Sequence, residues 1–350
     1  MMKPDHNLAK ALAGRARICP ASPPRCRVRL TDLDVLVPLY GQSRARAQAT
    51  VRAFARWHGP QVEMPRVLCA WCYREGHEPA DLAALPDYDW LERVRLPEYD
   101  LDDGLFRKEG LLNLLVAEHA TAPSVLASDS DCWSADPHWF RKVRDRLAEN
   151  ARHVMQPFRV MTDTEESLPL ASWSSQTLPG LCRATALQPG LGWAFTRAWA
   201  DLHGEQPVFN PWPVTGSGDC MFILEHFSDD RGKVFAERHS QYRYFGDFMR
   251  PGLPEGKLTC IPVDVRHENH TDRSAVPEQW RRKRYCDRAY HWSRVVLDLL
   301  GDLRGHVFLD AHGVPMPIDP DGVFVRVLRR KPEMQDQAST EAIVAEEVSR

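Results

Sequence analysis

The chain has 350 residues, of which 43% are hydrophobic and 27% are charged, so it can bury a sizeable core. Its net charge of −3 excludes a generally basic coat for nucleic acid but not a local basic patch. No apolar run is long enough to span a membrane, and the N-terminus lacks the apolar region of a secretory signal. The nine cysteines are irregularly spaced, which favours free thiols and a cytoplasmic location.

The pattern of apolar residues predicts alternating strands and helices after a basic lead-in over residues 1–32. The lead-in is interpreted as a solvated segment, with a phosphate-binding arm as the alternative. Strands are predicted at 33–38, 66–73, 90–96 and 124–128, and helices at 44–57 and 105–119. Asp136 and Pro137 predict the N-cap and first turn of a helix that ends at Leu147. This order predicts an α/β fold with a mostly parallel sheet and helices on both faces.

A soft domain boundary is predicted near residue 150. The segment 151–332 is less regular, with many Trp, Pro and Gly residues and short apolar runs. Residues 333–350 contain five acidic residues and one Arg, and they are interpreted as a frayed helix or an acidic tail.

Asp129 and Asp131 follow the predicted strand 124–128 and are separated by one residue. Ligands of parallel sheets bind beyond the carboxyl ends of the strands. Two carboxylates there can hold Mg²⁺ or Mn²⁺, which keep positions open for a diphosphate. A solvated turn is the alternative, since 48 acidic residues produce such pairs by chance. The buried strand before the pair favours the metal site.

Two later segments also carry candidate groups. Asp219 follows a Gly-Ser-Gly loop and precedes an apolar run, a setting that can raise a carboxyl pKa for general-base work. Taken alone, that pattern favours a plain helix N-cap. His267 and His270 are three residues apart, and either can complete a metal shell, with a polar surface loop as the alternative.

The remaining motifs are less specific. Five basic residues at 281–288, with aromatic residues beside them, fit phosphate binding and a solvated helix face equally well. Cys69 and Cys72 have C-x-x-C spacing but lie in an apolar strand, so buried structural thiols are expected. A P-loop, a G-x-S-x-G motif and a dinucleotide fingerprint are all missing from the sequence.

Taken in order, these motifs resemble nucleotide-sugar glycosyltransferases of the GT-A fold, of the galactosyltransferase-like and family-two-like groups. The resemblance extends over about residues 33–290. It rests on the first strand with the Tyr40 loop, the basic and Leu-Asn segment 106–113, the D-x-D at 129–131, the Gly-rich stretch 190–195, the acidic loop 216–219, and the segment 265–267. It makes 33–150 the half that binds the nucleotide sugar and 151–332 the half that binds the acceptor and carries the catalytic base.

The resemblance also implies roles for individual residues. Asp219 takes the position of the catalytic base, and Gly218 stands where many relatives have Glu. The implied metal ligands are Asp129, Asp131 and His267. The implied donor-binding residues are Pro38, Tyr40, Arg44, Lys108, Asp129, Gly192 and Trp193. The implied acceptor or phosphate contacts are Gly218, His270, Arg273 and Arg284.

The implied activity is an inverting sugar transfer, dependent on Mn²⁺ or Mg²⁺, from a UDP-sugar to an acceptor hydroxyl. The leading acceptor is a hydroxymethylpyrimidine in phage-type DNA, which would place the protein in the host cytoplasm. A surface polysaccharide or another glycan is the alternative acceptor. A non-catalytic nucleotide- or DNA-binding module and a nucleotidyltransferase are the alternative classes. No obligate protein partner is inferred.

Overall fold

The computed structural model describes residues 28–40, 44–97, 108–163, 169–177, 187–188, 190–204, 206–210, 218–227, 250 and 252–268. Several predictions concern residues outside these ranges. They are the arm in the basic lead-in, the basic cluster 281–288, the acidic tail 333–350 and the implied contacts at His270, Arg273 and Arg284. These remain predictions.

The described segments alternate between strands and helices in much the predicted order. The strands are β1 (Val28–Leu39), β2 (Glu63–Trp71), β3 (Leu91–Arg95), β4 (Ser124–Ser128), β5 (Cys132–Trp133), β6 (His153–Met155), β7 (Val160–Asp163), β8 (Leu170–Ser172), β9 (Leu187–Gln188), β10 (Gly192–Thr196), β11 (Lys257–Leu258) and β12 (Asp264–His267). The helices are α1 (Arg44–His58), α2 (Ala80–Ala83), α3 (Lys108–Leu114), α4 (Trp139–Ala148), α5 (Arg197–Asp201) and α6 (Gly218–His226). A π-helical turn (Leu115–His119) continues α3, and a 3₁₀ helix covers Trp173–Thr177.

The larger sheet has seven strands in the order β11-β6-β10-β4-β1-β2-β3. Strand β1 pairs in parallel with β2 and with β4, and β2 pairs in parallel with β3. Strand β10 is antiparallel to both of its neighbours. The predicted α/β fold with a mostly parallel sheet is confirmed. Because β6, β10 and β11 belong to this same sheet, the boundary predicted near residue 150 does not coincide with a break in it.

A second sheet has five strands in the order β5-β12-β7-β8-β9. Strand β12 pairs antiparallel with β5, so His267 lies opposite Cys132. Strand β5 begins directly after Asp131. Pairing within the smaller sheet therefore places β12, which is late in the chain, near the carboxyl end of β4.

Both faces of the central strands of the larger sheet are buried, as is usual for parallel sheets. In β1, Leu36 packs into one apolar cluster, whereas Val35 and Val37 pack into the other, on the opposite face. Helices α3, α5 and α6 contribute to the first cluster. The second contains Phe54 and Trp57 of α1 together with residues of α4. The predicted arrangement of helices on both faces follows from this alternation.

Some predicted boundaries and one predicted helix type differ from the structure. Strand β1 begins at Val28, inside the predicted lead-in. Helix α4 begins at Trp139, and its N-cap is His138 rather than Asp136. Asp136 instead accepts a hydrogen bond from the backbone N–H of His138 at 2.9 Å, so it stabilises the turn before the helix. Within the described part of the helix predicted at 105–119, α-helical geometry ends at Leu114 and gives way to a π-helical turn.

The cysteines of the described segments are free and buried, as expected from their irregular spacing. They are Cys69, Cys72, Cys132, Cys220 and Cys260. Burial raises the pKa of the Cys69 thiol, which makes it an inert core residue. The cytoplasmic location remains a prediction. Among the helices of the described ranges, none is both long enough and apolar enough to cross a membrane.

Candidate active site

A small cleft lies at the carboxyl edge of the parallel strands. It is lined by Pro38, Tyr40, Arg46, Lys108, Asp129 and Ser130. Because β1 and β4 run parallel and adjacent, the residues that end them meet at this edge. The cleft is therefore where ligands of such sheets bind, and four of its lining residues were predicted to bind a donor.

Lys108 joins two predicted site residues that are far apart in the sequence. Its Nζ lies 2.7 Å from Oδ1 of Asp129 and 3.0 Å from Oδ2 of Asp219. Lys108 begins α3, Asp129 follows β4, and Asp219 lies in the first turn of α6. A buried ammonium group requires such charged partners. One cation thus fixes the relative position of two carboxylates from separate elements.

The pKa values in this cluster reflect burial and mutual charge. Burial lowers the pKa of Lys108, but the carboxyl groups of Asp129, Asp219 and Glu109 outweigh it and raise that pKa well above its ordinary value. Burial raises the pKa of Asp219, against the opposing effect of the Lys108 ammonium. Burial also raises the pKa of Glu109 to about 8. A carboxyl group whose pKa is raised is a better proton acceptor near neutral pH.

Asp131 and His267 form a second pair beside the cleft. Asp131 is only 1% exposed, and its Oδ1 lies 3.6 Å from Nε2 of His267. The pairing of β12 with β5 produces this approach, and the backbone N–H of Glu268 donates to the Asp131 carbonyl at 2.8 Å. Adjacent ligands of one octahedral Mg²⁺ or Mn²⁺ ion lie roughly 3 Å apart, so this pair fits a divalent cation.

The predicted set of three metal ligands is not assembled as a group. Lys108 holds the carboxylate of Asp129. Within the ranges that the structure describes, no three His, Cys, Asp or Glu side chains are gathered as a metal cluster. The carboxylates of the D-x-D therefore face different partners. Asp129 faces the Lys108 ammonium, whereas Asp131 faces the His267 imidazole on one oxygen and the Arg46 guanidinium, at 3.9 Å, on the other.

Two predicted donor-binding residues lie elsewhere. The Arg44 side chain is 85% exposed and approaches Asp81 at 3.8 Å, whereas Arg46 lines the cleft. Trp193 is 1% exposed and lies in the apolar core, where its ring is 4.7 Å from that of Phe222. Most of the Gly-rich stretch 190–195 belongs to β10, a strand within the sheet. Its side chains therefore pack into the core on either face.

Gly192 begins β10 and lies opposite Ser128, close to the cleft. Its φ is +139°, and a Cβ there would lie 2.5 Å from the carbonyl oxygen of Ala127. Glycine is required at this position because the two strands approach too closely for a side chain. Gly192 therefore shapes the end of β4, from which Asp129 projects.

The sequence did not single out Arg46, Ser130 or Glu109. Arg44 and Arg46 both fall in the first turn of α1, so their positions in the sequence do not distinguish them. The Oγ of Ser130 lies 2.8 Å from Oγ1 of Thr50, which ties the D-x-D loop to α1. Two features of the sequence could have identified the other two residues. Ser130 lies between the two carboxylates of the D-x-D, and Glu109 is next to Lys108.

The sequence matches no protein-family model and no curated protein. Among solved structures, the chain is similar to residues 1–349 of TarS from S. aureus, with 15% identity and a TM-score of 0.33. That similarity covers 49% of this chain and 48% of the other, so the chain spans about half the length of that structure.

Two further structures show similarity over more of the chain. The mannosyltransferase PcManGT from Pyrobaculum calidifontis, solved with GDP-Man and Mn²⁺, has 13% identity and a TM-score of 0.39, covering 98% of this chain and 85% of that one. Mannosyl-3-phosphoglycerate synthase from Rubrobacter xylanophilus has 12% identity and a TM-score of 0.36, covering 80% and 79%. These are GT-A-type glycosyltransferases. Similarity at this level assigns no activity to the chain.

Proposed function

We propose that this chain is a glycosyltransferase that moves a sugar from a nucleotide-sugar donor to an acceptor hydroxyl, with Asp219 as the general base. The observation that carries this proposal is the Lys108 ammonium between Asp129 and Asp219. It links the carboxyl edge of a parallel sheet, where nucleotides bind, to a carboxyl group whose pKa is raised.

The charges around the cleft suit a donor that carries a diphosphate. Arg46 and Lys108 both line the cleft, and each can approach phosphate oxygens.

The proposed reaction is a single displacement. The acceptor oxygen attacks the anomeric carbon, the bond from that carbon to the diphosphate oxygen breaks, and the electron pair leaves with the nucleoside diphosphate. Asp219 accepts the proton of the acceptor hydroxyl. Lys108 and Arg46 stabilise the negative charge that develops on the leaving group. A divalent cation held by Asp131 and His267 would supply further positive charge there. One displacement inverts the anomeric centre.

Release of nucleoside diphosphate tests the proposal. UDP-, GDP- and dTDP-sugars are offered with Mn²⁺ or Mg²⁺ to the natural chain, to Asp219→Asn and to a matched surface control, Asp81→Asn. Removing a general base lowers the rate by about 10²- to 10⁴-fold, so Asp219→Asn loses nearly all release while the control retains it. Retention of anomeric configuration in the product, or full activity of Asp219→Asn, contradicts the proposed mechanism.

The acceptor is tested in the same assay. Hydroxymethylpyrimidine DNA is the leading acceptor because of the basic segments at 1–32 and 281–288. Stimulation of UDP release by DNA containing hydroxymethylcytosine or hydroxymethyluracil supports it, whereas transfer to glycans alone supports the alternative acceptor. Release of pyrophosphate instead indicates a nucleotidyltransferase. Nucleotide binding without any product indicates a binding module.

A further inference from the structure

Glu109 occupies the space beside the Cα of Gly218. Its side chain is 3% exposed. An ideal Cβ on residue 218 would lie 1.8 Å from Oε1, 2.2 Å from Cδ and 2.6 Å from Cγ of Glu109. Real Cβ atoms essentially never come within 3.0 Å of another heavy atom of this kind. The close approach of this carboxyl group is therefore possible only because residue 218 is glycine.

Helix α3 contacts the chain on both sides of the segment that leads to Asp219. The side chain of Asn113 donates to the carbonyl of Phe209 at 2.8 Å and accepts from its N–H at 2.9 Å. At the other end, Glu109 packs against Gly218, and Lys108 donates to Asp219 at 3.0 Å. Residues 209, 218 and 219 are thus all held by side chains of one helix.

The far end of α6 is held separately. Glu225 accepts a hydrogen bond from Asn210 at 2.6 Å and pairs with Arg250 at 2.7 Å. Both contacts lie about two helical turns from Asp219. The first turn of α6 is contacted from α3 at two adjacent residues, Gly218 by Glu109 and Asp219 by Lys108.

We infer that Glu109 is a positioning residue for Asp219, acting by direct packing against Gly218. Residue 218 and residue 109 form a matched pair, in which the carboxyl group fills the place of a missing side chain. The catalytic meaning of this pair rests on the proposed function, because it requires Asp219 to be the base. The raised pKa of Glu109, about 8, keeps it mostly protonated at neutral pH. It therefore packs there without adding a third full negative charge.

A double-mutant cycle followed by thermal unfolding tests the contact without any activity. Gly218→Ala forces the buried Glu109 side chain to move and lowers Tm by about 2–4 °C. Adding Glu109→Ala removes the atoms that clash and recovers at least half of that loss, whereas adding Glu109→Gln, which keeps the volume, recovers none. Gly59→Ala is the control, because its Cβ would only reach van der Waals contact at 3.4 Å from Ala55 O. Equal Tm values for Gly218→Ala and Gly59→Ala, or no recovery in the double variant, overturn the inference.

Hydrogen exchange and kinetics test the positioning role. In Glu109→Ala, amides 219–222 exchange roughly tenfold faster, while those of α5 do not change. The kcat for nucleoside diphosphate release falls about 10- to 100-fold, and KM for the donor is unchanged. Unchanged exchange, or an effect on KM alone, overturns the inference. If the natural chain releases no nucleoside diphosphate from any donor, the proposed function fails, and the unfolding cycle and the exchange experiment still decide whether Glu109 positions Asp219.

Discussion

Two buried histidines predict that the protein loses stability in mild acid. His203 follows α5 and His226 ends α6, and their rings lie 5.1 Å apart, with Trp199 against both. Burial lowers the pKa of His203 to about 4 and that of His226 to about 3. Arg250 adds to the lowering of both values. Glu225, which precedes His226 in the chain, pairs with Arg250 at 2.7 Å.

The magnitude follows from proton linkage. In the unfolded chain both histidines titrate near pH 6.5, whereas in the folded chain they stay neutral down to about pH 4 and 3. Stability is therefore complete above about pH 7 and is lost as the pH falls from 6.5 towards the folded values. At pH 5 each histidine costs about 2 kcal/mol, from RT ln(1 + 10^1.5), and the pair costs about 4 kcal/mol relative to pH 8.

Urea unfolding at pH 8 and pH 5 measures this cost. Other groups also titrate in this range, so the comparison is made against a variant, His203→Asn with His226→Gln, that retains hydrogen-bond donors but does not titrate. The difference in unfolding free energy between the natural chain and this variant shifts by about 4 kcal/mol between the two pH values. His77→Gln, at an exposed position, is the control. A shift below about 1 kcal/mol refutes the reasoning, because it means that the folded pair takes up protons at pH 5.

Two further predictions concern buried carboxylates. Asp34 accepts two hydrogen bonds from Arg66 at 3.0 Å each. Burial raises the pKa of Asp34, but these bonds and two more from backbone N–H groups outweigh burial and lower that pKa. In urea unfolding at pH 7, Asp34→Asn lowers the free energy of unfolding by about 3–5 kcal/mol. This loss shrinks as the pH falls below about 3.9, the pKa of Asp34 in the unfolded chain. A loss under about 1 kcal/mol at pH 7 contradicts the pairing. In calorimetry, Asp131→Asn and His267→Gln each weaken Mn²⁺ binding at least about tenfold, whereas Asp129→Asn weakens it less. Equal losses for all three variants mean that Asp129 is also a ligand.

Local sequence patterns were sufficient for most of the individual elements. The apolar run before Pro38 identified β1, and the run before Asp129 identified β4, because both faces of these strands are buried. The apolar positions of α1 were also readable, since a helix of 15 residues repeats its pattern several times. Boundaries were less predictable because they depend on single contacts, such as that of Asp136 with the backbone of His138.

The geometry of the site was only partly predictable. The residue types at Lys108, Asp129 and Asp219 were recognised, but the ion pair between Lys108 and Asp219 spans 111 positions in the sequence. No local pattern contains such a contact. Trp193 was misassigned because a Gly-rich stretch with an aromatic residue looks the same in a loop and in a strand. Its pairing with β4 and the packing of its ring against Phe222 make it a core residue.

The two D-x-D carboxylates belong to different parts of the proposed site. The sequence suggested that Asp129 and Asp131 share one cation. In the structure, the Lys108 ammonium pairs with both Asp129 and Asp219, whereas Asp131 faces His267 and Arg46. One carboxylate is thereby coupled to the proposed base and the other to the proposed metal site. In the proposed reaction, donor phosphates that approach Lys108 would compete with Asp219 for its ammonium group. The charge on the donor phosphates and the basicity of Asp219 are therefore linked through a single side chain.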